Sequence, residues 1–157
     1  MKKIIFAIAL TLFVSNLVMA QKQNNIPLIP LPLKMEIGQG GFEINESTVL
    51  YSESEDAIND LNFLQSYITD HYGINLKSTI GNKQKRSVSV KRNLSMKPDA
   101  YTLRIDSMSV HIEGGSGAGV FYGVQTLIQL LPAGKTTKLR VASVSIEDEP
   151  RFSWRGM

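Results

Sequence analysis

Two runs of strict polar–apolar alternation, Tyr101–Ile105 and Ser109–Glu113, constrain this chain more than anything else in it. Alternation with period two puts every second side chain on one face, the pattern of a half-buried strand. Asp106-Ser107 between the two runs is turn chemistry, so together they predict a β-hairpin. The six residues that follow, Gly114 to Gly119, include four glycines and break the strand. The period then changes: Val120, Phe121, Val124, Leu127, Ile128 and Leu131 line one side of a helix that Pro132 stops. A hairpin handed through a glycine-rich bend to an apolar helix must stack that helix on the sheet, because neither face can be left in water.

The rest of the chain fits the same class. Pro27, Pro30 and Pro32 favour an extended lead-in. Leu33–Ile37 and Phe42–Ile44 read as strands, and Gly38-Gln39-Gly40-Gly41 between them reads as the turn of a first hairpin. Val49–Tyr51 is a third short strand. Ala57, Leu61, Leu64, Ile68 and Tyr72, widened by Ile58 and Tyr67, recur at helical spacing and predict a helix over about 54–72. Ser52 or Ser54 is positioned to cap it, and Glu53, Glu55 and Asp56 place negative charge at the positive end of its dipole. Gly73 stands where a left-handed terminating residue belongs. Ile74–Ile80 is a short candidate strand, Ser87–Lys91 an alternating one, and Arg140–Ile146 a last one before the polar run Glu147-Asp148-Glu149-Pro150. The fold class expected is α+β: a mostly antiparallel or mixed sheet with two helices packed on one face.

Composition narrows the chemistry. With 157 residues and no cysteine, disulfides, thiolate metal sites and a thiol nucleophile are excluded. Two histidines, His71 and His111, leave little for an all-protein metal site, and neither has a partner at i+4, so both read as surface residues. Met1-Lys2-Lys3, the apolar run Ile4–Val14 and the small or aliphatic pair Val18 and Ala20 form a secretory signal peptide over residues 1–20, too short in its apolar part to span a membrane, which takes about 20 apolar residues. Two of the 17 basic residues fall inside it, so 15 would remain against 14 acidic ones. That near-neutral balance offers no nucleic-acid footprint, and no later stretch is long enough to cross a membrane. The basic stretch Lys83, Lys85, Arg86, Lys91 and Arg92 reads as a solvated face.

Three other patterns bear on chemistry. The glycine run fails both phosphate-binding spacings, since positions 120 and 122 are Val120 and Tyr122 and no Gly-Lys-Ser/Thr follows. Tight helix–sheet packing is the better explanation. Asp148-Glu149 is the one Asp-Glu dipeptide and reads as part of a solvated linker rather than an acid/base pair. Asn45-Glu46-Ser47 and Asn93-Leu94-Ser95 match the glycosylation sequon, which matters only in a eukaryotic secretory pathway.

Four stretches together resemble the N-terminal part of family 20 glycoside hydrolases, the β-N-acetylhexosaminidases: the lead-in Ile29–Pro32, the helix Gly119–Leu131, the junction Ile146–Phe152 and the run Ser153–Met157. The resemblance covers roughly residues 26–157. It implies an N-terminal α+β domain over 21–148, and at 149–157 the opening strand of a (β/α)₈ barrel, a fold that takes about 250 residues. It implies that Arg155 hydrogen-bonds hydroxyls of a terminal N-acetyl sugar, a task suited to a planar guanidinium. It implies retaining, substrate-assisted hydrolysis that needs neither metal nor organic cofactor and whose catalytic carboxylates lie beyond this chain. The expectation is therefore the front of an exported enzyme, periplasmic or extracellular, acting on N-acetylhexosamine-terminated glycans and inactive as given. Phe152, Trp154 and Met157 read as an unfinished strand, which fits that view. The alternative is a free-standing secreted carbohydrate-binding or interaction module, whose stacking platform would have to come from Tyr51, Tyr67, Tyr72, Tyr101 and Trp154.

Overall fold

The computed structural model describes residues 26–53, 55–81, 84–134 and 136–150. Its strands are β1 (Lys34–Ile44), β2 (Val49–Ser52), β3 (Lys77–Ile80), β4 (Ser87–Arg92), β5 (Tyr101–Ile105), β6 (Ser109–Gly114) and β7 (Leu139–Asp148). Two helices, α1 (Ile58–Tyr72) and α2 (Gly117–Leu130), stand between β2 and β3 and between β6 and β7. One sheet takes all seven strands in the order β1-β7-β5-β6-β4-β2-β3. The pairs on the β1 side, β1/β7, β7/β5 and β5/β6, are antiparallel, and those on the β3 side, β6/β4, β4/β2 and β2/β3, are parallel. The sheet is thus mixed in equal parts rather than mostly antiparallel. The parallel half arises because α1 carries the chain over the sheet from β2 to β3, and a crossover of that kind returns in the same direction.

Register aligns the core in rows. Ser52, Val90, Ile112, Leu103 and Ile146 share one row across β2, β4, β6, β5 and β7, and Leu50, Val88, Val110, Ile105 and Val144 share the next. These residues are buried and form one cluster with Leu61, Leu64 and Ile68 of α1 and Val120, Val124 and Leu127 of α2, Ser52 lying among them as a buried polar group. The opposite face carries Tyr51, Ser89, His111, Arg104 and Ser145 in register. The β5–β6 hairpin forms as its alternation requires, with the Asp106 carboxylate accepting the Met108 and Ser109 N–H groups at 2.6 and 2.8 Å in the turn.

Several expectations need correction. There is no first hairpin: Lys34–Ile44 is a single strand, both halves of which pair with β7. The glycines form a bulge, not a turn. The register passes from Ile37↔Val144 to Gly41↔Ala142, Gly40 takes φ +84°, and a side chain on Gly41 would meet the Val141 carbonyl oxygen. The extra residues shift the apolar phase, so that Phe42 and Ile44 point into the core opposite Val141 and Leu139.

The first helix starts later than expected. Residues Glu55–Ala57 form a 3₁₀ turn, and Ala57 occupies the N-cap of α1 without a side-chain cap bond. Ser52 is not a cap but part of β2, and Ser54 lies outside the described residues. The acids assigned to the helix dipole are used otherwise: Glu53 pairs with Lys91 at 3.1 Å and Asp56 with Arg92 at 2.9 Å, tying the connection to β4. The far end agrees with expectation, since Gly73 has φ +71° and its N–H reaches the Thr69 carbonyl at 2.9 Å. β4 is less exposed than its alternation suggests, because Ser87 and Ser89 are buried along with Val88 and Val90.

Helix α2 packs close against the sheet. A Cβ on Gly123 would come within 2.5 Å of Ile112 Cγ2, and one on Gly119 within 2.5 Å of the Ala100 carbonyl oxygen. At Gly114 and Gly115 it would strike the backbone at Val120 and Lys97. The buried stripe is therefore Gly119, Val120, Gly123, Val124, Thr126 and Leu127, while Phe121, expected inside, is 37% exposed. It leans instead on Phe63 of α1, with ring centroids 5.5 Å apart. The Tyr72 hydroxyl donates to the Pro132 carbonyl at 2.8 Å and ties the ends of the two helices together. Gly119→Ala should cost about 1–3 kcal/mol, the range for overpacking, because the obstructing atom belongs to the backbone. A urea unfolding midpoint, compared with the parent chain at matched slope, measures this.

Candidate functional site

A concave site lies where β7 leaves the sheet, among the lead-in, α2 and the junction. Leu28, Pro30, Tyr122, Gln129, Asp148 and Pro150 are among the residues that line it. It is built from register. Tyr101 of β5 pairs with Asp148 of β7, which brings the Tyr101 hydroxyl to 3.4 Å from the carboxylate. The same hydroxyl is 2.7 Å from Thr126 Oγ1 of α2, and Thr126 in turn donates to the Tyr122 carbonyl at 3.0 Å. From the other side Asp148 accepts the Leu33 N–H at 3.1 Å, and the Gln129 side chain accepts the Ile29 N–H at 3.1 Å. Glu149 holds Lys97 at 2.8 Å.

Residues 147–149 are therefore not the solvated linker their composition suggests. Glu147 and Asp148 belong to β7, and each acid has a partner, Glu147 meeting Lys34 at 3.9 Å. Nor is Asp148-Glu149 an acid/base pair, since Asp148 is committed to the Leu33 amide and the Tyr101 hydroxyl. Burial pushes the Tyr101 hydroxyl up to about 12; the Thr126 hydrogen bond works against this, and the Asp148 charge and hydrogen bond add to it.

The other sequence candidates fall as follows. Arg155, the substrate-binding candidate, lies outside the described residues, as do the signal peptide of residues 1–20 and all but the first two residues of 149–157. His71 sits at the end of α1, its Nδ1 2.9 Å from the Tyr67 carbonyl and its ring stacked on Tyr67 at 3.9 Å. His111 is not a simple surface residue. It is half-buried between Ser89 and Ser109, at 2.6 and 2.9 Å.

Much of the basic stretch is likewise structural: Arg86 donates to the Glu43 carbonyl and covers the Phe42 ring, and Lys91 and Arg92 are paired as described. Three amides in and after the glycine run have acceptors within the fold, Gly115 N–H in the Ala100 carbonyl and those of Gly119 and Val120 in the hydroxyl and carbonyl of Ser116. The glycines themselves are accounted for by packing, since a Cβ at Gly114, Gly115 or Gly119 would strike neighbouring backbone. Among the described residues no group of three His, Asp or Glu converges as a metal site, and no helix is long and apolar enough to cross a membrane.

Of the five aromatics proposed as a sugar platform, Tyr51 and Tyr101 are buried, Tyr67 and Tyr72 pack partly against the core, and Trp154 lies outside the described residues. The Tyr101–Thr126–Asp148 cluster was missed in the sequence. Its one signal is that Tyr101 and Asp148 each stand at the end of a strand pattern.

An α+β domain of this topology, with a concave corner where its last strand departs, is the class the geometry defines. The chain belongs to glycosyl hydrolase family 20, with residues 25–149 matching the family's domain 2. It is 30% identical over 99% of its length to a β-hexosaminidase of Porphyromonas gingivalis, covering 22% of that protein. It is 34% identical over 83% of its length to a β-hexosaminidase of Vibrio vulnificus, covering 14% of that one. It also superposes on a family 20 exo-β-N-acetylglucosaminidase from Vibrio harveyi, solved with N-acetylglucosamine, with a TM-score of 0.72 and 29% identity over 84% of this chain and 20% of the other. The chain thus spans about a fifth of the length of such relatives, and what it forms is a β-hexosaminidase-related domain.

The Tyr101 cluster generates a prediction. A hydroxyl that resists ionisation in the fold but ionises near 10 when unfolded gives stability that is complete below pH 10 and lost as pH rises toward 12. Tyr101→Phe should remove that part of the alkaline slope in urea unfolding. Asp148→Asn should bring the Tyr101 tyrosinate absorbance to lower pH while leaving it above the ordinary value, since burial is the larger cause.

Proposed function

We propose that residues 21–148 are the N-terminal, non-catalytic domain of an exported β-N-acetylhexosaminidase, and that residues 149–157 open its hydrolytic barrel. The observation that carries this reading is the family match over residues 25–149, taken with relatives of which the chain covers 22% and 14%. On this reading the complete enzyme removes terminal N-acetylhexosamine from glycans with retention, the substrate's own acetamido oxygen attacking the anomeric carbon in place of an enzyme nucleophile. Arg155 donates to neighbouring hydroxyls of the terminal sugar through the fixed fork of its guanidinium. No catalytic carboxylate is assigned to this chain, and no cofactor is needed for the chemistry.

The contribution of the domain is then mechanical. Asp148 is held by Leu33 and Tyr101 and Glu149 by Lys97, so the chain leaves at a fixed point immediately before Arg151. Export follows from residues 1–20. Signal peptidase would cut after Ala20, and the mature protein would begin at Gln21.

Purified free of host glycosidases, the chain of 157 residues is expected to release no chromophore from an aryl N-acetylglucosaminide. The product of the reading frame extended past Met157 is expected to do so. In that longer enzyme Arg155→Ala should lower kcat/KM roughly a hundredfold, the scale of one or two hydrogen bonds from a charged donor. Turnover by this chain alone, or none by the extended product, would overturn the proposal. Intact-mass analysis of exported material tests the leader, with Gln21 as the expected first residue.

A further inference from the structure

The sheet has one seam. The antiparallel strands β1, β7, β5 and β6 meet the parallel strands β4, β2 and β3 only through the β4–β6 ladder. His111 sits on that ladder, on the face away from the helices, in register with Ser89 of β4 and Arg104 of β5. Its Nδ1 lies 2.6 Å from Ser89 Oγ and its Nε2 2.9 Å from Ser109 Oγ.

Both hydroxyls have a second acceptor. Ser89 Oγ reaches the Val110 carbonyl at 3.3 Å, and Ser109 Oγ reaches the two Asp106 carboxylate oxygens at 3.4 and 3.3 Å. Desolvation pushes the Asp106 carboxyl up, but it is outweighed by the Met108 and Ser109 N–H groups, the Ser109 hydroxyl and His111. The carboxyl therefore stays below its ordinary range and is ionised near neutral pH.

A hydroxyl has one proton to give, and a neutral imidazole has one donor nitrogen and one acceptor. With the ring neutral, one serine must turn its proton to the ring and abandon its other acceptor. With the ring cationic, both nitrogens donate, and Ser89 and Ser109 keep their bonds to Val110 and Asp106. Only the cationic ring lets both hydroxyls keep these second acceptors at once.

We propose that His111 is a proton-operated brace across the β4–β6 seam: protonation makes the ring a donor to both Ser89 and Ser109 and sends the Ser109 proton to Asp106, and deprotonation breaks one of these links. The charged and titratable groups facing it act in both directions. Asp106 and Glu113, the latter accepting from Asn93 at 3.1 Å, favour the cation. Arg104 opposes it from β5. Lys91 of β4 is paired with Glu53, and Tyr51 of β2 stands beside Ser89.

Because these influences oppose each other, the brace is read by comparing variants of the full chain. Histidine-ring NMR titration follows His111, with His71, the other histidine, as internal standard. Ser109→Ala and Asp106→Asn should each weaken proton binding at His111 about threefold or more, Arg104→Gln should strengthen it, and His71 should not move. Asp106→Asn keeps an oxygen for the Met108 and Ser109 amides, so the turn survives and this variant decides the matter if Ser109→Ala does not fold. The gap in urea midpoint between parent and Ser109→Ala should be wider at about pH 5.5 than at about pH 8.5, because a variant that binds the His111 proton more weakly loses stability where the ring is protonated. Unchanged titration of His111 in Asp106→Asn, or an equal gap at both pH values, would overturn the proposal.

Discussion

The contact between α2 and the sheet sets the geometry of this domain. Four glycines, Gly114, Gly115, Gly119 and Gly123, let the helix backbone and the bend before it settle against Ile112, Ala100 and Lys97, where no side chain would fit. Close approach makes the core thin and its contacts many, so Val120, Val124 and Leu127 reach full burial. It also fixes the height of Thr126 above the sheet. At a greater separation the Thr126 hydroxyl would not meet Tyr101, and the corner from which β7 departs would lose its floor.

The charged residues follow the same logic of joining elements. Glu53, Asp56, Lys91 and Arg92 stitch the entry of α1 to β4, and Asp148 and Glu149 stitch the exit of β7 to the lead-in and to Lys97. Exposed pairs of this kind contribute little stability one at a time. Their placement at the two points where the chain changes direction suggests that orientation, more than energy, is what they supply.

What could be read from sequence depended on range. The β5–β6 hairpin, the Gly73 terminus and the packing role of the glycine run rest on neighbours within a few residues, and local pattern revealed them. The bulge in β1 did not show, because Gly38-Gln39-Gly40-Gly41 suits a turn equally well and its real partner, β7, lies about a hundred residues on. Periodicity puts Phe121 inside because it counts apolar side chains and gives no weight to a glycine that is buried for want of one. Ser52, Ser54 and the acids near them looked like a helix start for a similar reason, since nothing local announces Lys91 and Arg92. At the site, the family and its fold were legible in the helix and junction motifs, whereas the Tyr101–Thr126–Asp148 cluster needs three distant segments brought together.

The insertion of β7 between β1 and β5 bears on how the domain is made. A ribosome delivers β1 early, yet among the described strands its neighbour in the sheet is β7, the last of them in the chain. Until then β1 has no ladder, β5 has one open edge, and Phe42 and Ile44 lack Val141 and Leu139 opposite them. Assembly should therefore end with a single closing event in which β7 slides into a prepared slot. A nascent chain arrested before Leu139 would present two sticky borders to chaperones, or to another copy of itself.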